Sequence, residues 1–99
     1  MDMMKMMKEA MAMRSRLAEM DKQLKNTVID VEHNGVKVTI NAKSEIQGIN
    51  IADDVFKLEK GKAETMILSA LQAAVKRSQE VMAAEAKKLT GGAKIPGLV

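Results

Sequence analysis

The sequence predicts an α+β fold, one α-β-β-β-α unit in which a small three-stranded antiparallel sheet is flanked by two long helices. Three observations predict it. Apolar residues at helical spacing fill residues 1–26, period-two alternation around Asn34-Gly35 fills 27–52, and a second helical pattern runs over 62–90. Residues 1–99 are read as a single domain, with 91–99 as a tail.

The first helix is expected over residues 2–25. Met3, Met6, Ala10, Met13, Leu17, Met20 and Leu24 follow one another at spacings of three and four, which is three heptads with every a and d position apolar. Eight of the ten methionines lie in the first twenty residues. Met4 and Met11 at b positions and Met7 at e widen the apolar arc beyond one seam. The seam Met3, Met6, Met13, Leu17, Met20 and Leu24 is therefore assigned to core and dimer packing. The additional methionines call for a second cover, or form a soft, adaptable contact surface. Asn26, followed by β-branched Thr27, Val28 and Ile29, ends the helical pattern.

Two strands are expected over 27–33 and 36–42, with Asn34-Gly35 as the hairpin turn. A two-residue loop pairs His33 with Val36, Glu32 with Lys37, Val31 with Val38, Asp30 with Thr39 and Ile29 with Ile40. Apolar then meets apolar and Glu32 meets Lys37, so turn chemistry and face pattern agree. A third strand is expected over 45–51. Ile46 and Ile49 have opposite parity, and a bulge at Gly48 would restore the inward direction. Asp53-Asp54 ends the strand, and the polar stretch to Gly61 is a loop with room for a helical turn over 55–58.

The second helix is expected over 62–89, with Ile67, Ala70, Leu71, Ala74, Val75, Val81, Met82 and Leu89 apolar and Thr90-Gly91-Gly92 as the stop. Lys76 and Lys87 are eleven residues apart, as are Arg77 and Lys88, and eleven residues is about three turns. Two short basic columns are thus expected along the outer side of its C-terminal half.

Composition narrows the function classes. The absence of cysteine excludes a disulfide scaffold, thiolate metal sites and thiol catalysis. Phe56 is the only aromatic residue, so the core is aliphatic, and a chain this short gains from oligomerisation. No apolar run approaches the roughly 20 residues of a membrane span, which suits a soluble, cytoplasmic protein without a membrane partner. His33 beside a turn, and Asp53-Asp54 at a strand end, read as surface and capping residues; neither has the partners of a catalytic triad or an EF-hand. Gly91-Gly92-Ala93-Lys94 follows a helix where a phosphate loop precedes one. No catalytic residue, metal, cofactor or small-molecule substrate is assigned, and the chain is not expected to be an enzyme.

The net charge is +3, divided as +2 over 1–26, −2 over 27–60 and +3 over 61–99. Basic ends around an acidic middle suit a polyanion that meets the terminal segments. Lys76, Arg77, Lys87 and Lys88 have only Glu80 and Glu85 nearby and are the first candidates for nucleic-acid contact, against the alternative of a solvated face. Arg14, Arg16, Lys22 and Lys25 of the first helix support them, whereas Lys5, Lys8, Lys22 and Lys25 are interleaved with Glu9, Glu19 and Asp21. With no interleaved aromatics, binding would rest on phosphate contacts rather than on base stacking on single strands. The alternative is a protein-interaction or chaperone-like module that docks through the Met-rich helix.

The segment MKMMKEAMAM ending at Met13 resembles the LMKQAQKMQ-type first helix of the YbaB/EbfC nucleoid-associated proteins. Val36-Lys37-Val38-Thr39-Ile40-Asn41 is similar to that family's VKVTING strand, and a third strand, Asp53-Asp54 and a long final helix follow in the same order. The tail Gly91 to Leu98 resembles its Gly-Gly…Leu-Pro-Pro-Gly-Phe ending. The resemblance covers nearly the whole chain. It implies a tweezers-like homodimer whose basic helices grip duplex DNA with little sequence preference, working as a nucleoid-associated or regulatory protein.

Overall fold

The computed structural model describes residues 2–90, in the order α1 (Met3–Asn26), β1 (Val28–His33), β2 (Val36–Asn41), β3 (Ile46–Ile51), a short 3-10 helix (Asp53–Lys57) and α2 (Lys60–Thr90). The tail from Gly91 lies outside the described residues. Sheet order is β1-β2-β3, antiparallel throughout.

Each boundary has a local cause. Asp2 caps α1 by accepting a hydrogen bond from the Met4 amide at 3.0 Å. At the other end, the Thr27 hydroxyl donates to the Gln23 carbonyl at 2.6 Å, and extended backbone takes over. Asn34 (φ 51°) and Gly35 (φ 83°) both adopt the left-handed conformation that a two-residue hairpin needs. The observed register pairs His33 with Val36 through Ile29 with Ile40, as the alternation predicts. Between β2 and β3, Thr39 faces Gly48 but Ile40 faces Ile46, so Gln47 is the extra residue of a bulge. The bulge brings Ile46, Ile49 and Ile51 onto the face of Ile40, Val38 and Val36 despite their mixed parity.

The core lies between that face and α2. Val36, Val38 and Ile40 of the central strand are fully buried with Ala70 and Ala74 of α2, and Val55 of the 3-10 helix closes one end. Two alanines at the contact let the helix axis approach the sheet closely, and half-buried Ile29, Val31, Leu71 and Val75 fill the sides. α2 lies across β1 and β2 and barely reaches β3. Ile46 and Ile49, on the inner face, consequently remain 49% and 48% exposed.

α1 does not join this core along its length. Leu24 is its one buried residue and Met20 is half-buried, whereas Met3, Met6, Met13 and Leu17 are exposed. The expected core role of the seam therefore fails within one chain beyond its last turn, because α1 leaves the sheet instead of lying on it. The molecule measures 68 × 20 × 17 Å with a radius of gyration of 18.8 Å, against about 13 Å for a compact chain of this length.

Candidate nucleic-acid interface

The elongation comes from one arm made by both ends of the described chain. α1 reaches the sheet at its C-terminus, where β1 begins, while α2 passes the same end of the sheet near Ser78 and continues outward. The two helices run side by side in opposite directions over the last turns of each: Arg16, Glu19, Met20 and Gln23 line one cleft with Glu85 and Lys88. Glu19, Lys22, Gln23, Asn26 and Thr27 line a second with Glu85.

Charge is divided between arm and body. The arm, residues 2–26 and 81–90, carries Lys5, Lys8, Arg14, Arg16, Lys22, Lys25, Lys87 and Lys88 against Asp2, Glu9, Glu19, Asp21 and Glu85. The body, residues 27–80, carries seven Lys or Arg against eight acids. Lysines on such an arm act as point charges, and the arginines add planar donor forks suited to phosphate oxygens.

The two basic columns of α2 are not equivalent. Adjacent helix residues point about 100° apart, so Lys76 and Lys87 share the outer row while Arg77 and Lys88 share a row turned toward the sheet side. Over the body that row brings Arg77 to the edge of β1, where Asp30, Glu32, Lys76 and Glu80 line the same depression and Arg77 pairs with Glu80 at 3.5 Å. Past the sheet, Lys88 faces α1 and pairs with Glu85 at 3.3 Å. All four residues are exposed, and position along α2 divides them: Lys87 and Lys88 belong to the arm with Arg14 and Arg16, and Lys76 and Arg77 to an acid-rimmed part of the body.

Lys22 and Lys25 are exposed near the joint. Lys5 and Lys8, discounted in the sequence because Glu9 interleaves them, are exposed on the outer arm. Sequence periodicity had no means of showing which half of α1 leaves the body, and that placement decides their value. A tie fixes the base of α1: Lys43, in the β2–β3 turn, meets Asp21 at 2.7 Å. Its hydrogen bond to Asp21, helped by the charges of Asp21 and Glu45 and opposed by desolvation, raises the Lys43 pKa above the ordinary lysine value.

The remaining candidates are surface features. His33 ends β1 in an exposed position, and Asp54 pairs with Lys57 one turn on. Among the described residues no three His, Cys, Asp or Glu side chains are grouped to hold a metal ion, and no helix is long and apolar enough to cross a membrane.

A model of the YbaB/EbfC DNA-binding family matches residues 1–93. A nucleoid-associated protein of Pelotomaculum thermopropionicum is 34% identical over 100 residues, spanning 98% of this chain and 95% of the relative. One from Thermoanaerobacter pseudethanolicus is 33% identical over 98 residues, spanning 94% and 86%. An uncharacterized protein of Helicobacter pylori has a crystal structure that superposes with a TM-score of 0.81 at 20% identity, covering 92% of this chain and 99% of that one. That likeness concerns the fold.

Proposed function

Because the chain belongs to the YbaB/EbfC DNA-binding family, we propose that it is a nucleoid-associated protein, located in the cytoplasm on the nucleoid, that grips duplex DNA electrostatically and with little sequence preference. One observation carries this reading: cations from opposite ends of the sequence, Arg16 and Lys88, converge on one cleft of a basic arm that stands clear of an acidic body. Arg14, Arg16, Lys87 and Lys88, with Lys5 and Lys8 further out, contact phosphates. Lys22 and Lys25 assist at the base, and Lys76 and Arg77 contribute least because Asp30, Glu32 and Glu80 surround them. No catalytic step is assigned.

The working unit is a homodimer, which presents the arm twice. Support comes from apolar surface that one chain leaves uncovered: Ile46 and Ile49 on β3, exposed Leu68 with half-buried Leu71 and Val75 along α2, and the α1 seam. Surface of this kind on a small chain marks an interaction site. A regulatory role follows from occupancy of DNA rather than from any catalytic group.

The test is a salt titration against two duplexes of unrelated sequence. With about six phosphate contacts, affinity is expected to fall by roughly a thousandfold between 50 and 200 mM salt, equally for both. Absence of binding at low salt would overturn the reading and favour the other one, a protein-docking module, for which the exposed Met4 (71%) and Met11 (69%) speak.

A further inference from the structure

We propose that Asn41 and Ser78 are positioning residues for DNA binding: together they form a polar pin that sets the angle between the two helices of the arm. The need for a pin follows from packing. α1 buries only Leu24 and half-buries Met20, so apolar contact alone leaves its direction weakly defined. Its last turn is held by hydrogen bonds instead. The Ala42 amide donates to the Leu24 carbonyl at 3.1 Å, and Asn41 Nδ2 donates to the Lys25 carbonyl at 3.2 Å. These capture carbonyls that a helix C-terminus leaves without intrahelical partners.

Asn41 ties three elements at once while being 1% exposed. Its Nδ2 also donates to Glu45 Oε1 at 2.7 Å, and its Oδ1 accepts from the Lys43 and Glu45 amides, both at 3.0 Å, which shapes the β2–β3 turn. Its backbone carbonyl accepts from Ser78 Oγ of α2 at 2.8 Å. Ser78, fully buried, accepts in turn from the Ser44 amide at 2.9 Å and lies 3.0 Å from Ser44 Oγ. Ser44 reaches it from a left-handed backbone conformation, φ 63°. Every buried side-chain polar atom among the described residues has a partner, so this cluster fixes geometry without leaving a group to be satisfied by motion.

The consequence for binding rests on the DNA-grip reading above. Phosphates on a duplex have fixed spacing, so an arm whose helices wander loses contacts it could make when held. Ser78 and Asn41 touch no DNA in this scheme. They act through Arg16 and Lys88, which lie on different helices.

The experiment uses the full chain, which has no native cysteine, with spin labels at Ala12→Cys on α1 and Ala83→Cys on α2, both exposed, and labelled chains diluted into unlabelled ones. Pulsed electron spin resonance gives the interhelix distance distribution, and titration of a labelled duplex gives the affinity. Ser78→Ala removes the α2 tie and retains helix propensity; Asn41→Asp keeps the acceptor for the turn but loses the donor to α1 and to Glu45, and is combined with Glu45→Gln so that two carboxylates do not meet. Each is expected to broaden the distribution and to weaken duplex binding about fivefold or more. Val38→Ala, which thins the core away from the pin, is expected to lower the melting temperature and leave the distance unchanged. A folded Ser78→Ala variant with the parental distance distribution would overturn the pin. A broadened distribution with parental affinity would overturn its role in binding. If the parent itself binds no duplex, the DNA reading fails, and the distance measurement still decides whether the pin exists.

Discussion

Gly35 and Gly48 show how differently one residue type serves in this chain. A Cβ at Gly35 would need φ +83° and would sit 3.3 Å from Val55 Cγ2, whereas one at Gly48 meets nothing within 4 Å. Gly35→Ala is therefore expected to cost about 1–2 kcal/mol, and Gly48→Ala to stay within about 0.5 kcal/mol, both checked by denaturant titration. At Ile40, fully buried under α2, truncation to alanine is expected to cost about 2–5 kcal/mol. Lys43 supplies a pH dependence with a definite sign. Because its pKa is raised in the fold, the stability from its pairing with Asp21 is complete at neutral pH, below the unfolded lysine value, and is lost only as pH rises through the alkaline range. A melting curve series from pH 7 upward checks it against Lys43→Met. Residues of these kinds differ in legibility: Asn34-Gly35 announces its turn because the cause is local. Asn41 gives no such signal, since its partners come from α1, the β2–β3 turn and, through its carbonyl, α2, and no spacing along the chain encodes that meeting.

At the scale of elements, periodicity located both helices and all three strands to within one or two residues. The bulge came out at Gln47 beside the suspected Gly48, because only there does Ile46 return to the inner face. What periodicity does not carry is orientation. The α1 stripe marks an apolar face but does not say what it meets, and in one chain it meets little beyond Leu24. The basic pairs of α2 are separated by position along the helix, Lys76 and Arg77 over the sheet and Lys87 and Lys88 past it, which spacing alone does not show. One element-level test concerns β3, whose inner face carries the exposed Ile46 and Ile49. Ile49→Lys is expected to leave the sheet folded and to shift sedimentation equilibrium toward the single chain. An unchanged mass would remove β3 from the dimer interface.

For the whole molecule, the defining property is the segregation of a basic arm from an acidic body, and it is invisible in the net charge of +3. The sequence showed basic ends around an acidic middle, but the value of each lysine depends on whether the fold places it beyond the sheet. The most direct measurement compares duplex affinity at low salt for two charge-reversed variants of the full chain. Arg14, Arg16, Lys87 and Lys88 to Glu on the arm is expected to abolish binding while Lys76 and Arg77 to Glu on the body weakens it by less than about tenfold. Retained affinity in the arm variant, or a loss that follows the body pair, would contradict the assignment of the arm as the DNA-binding surface.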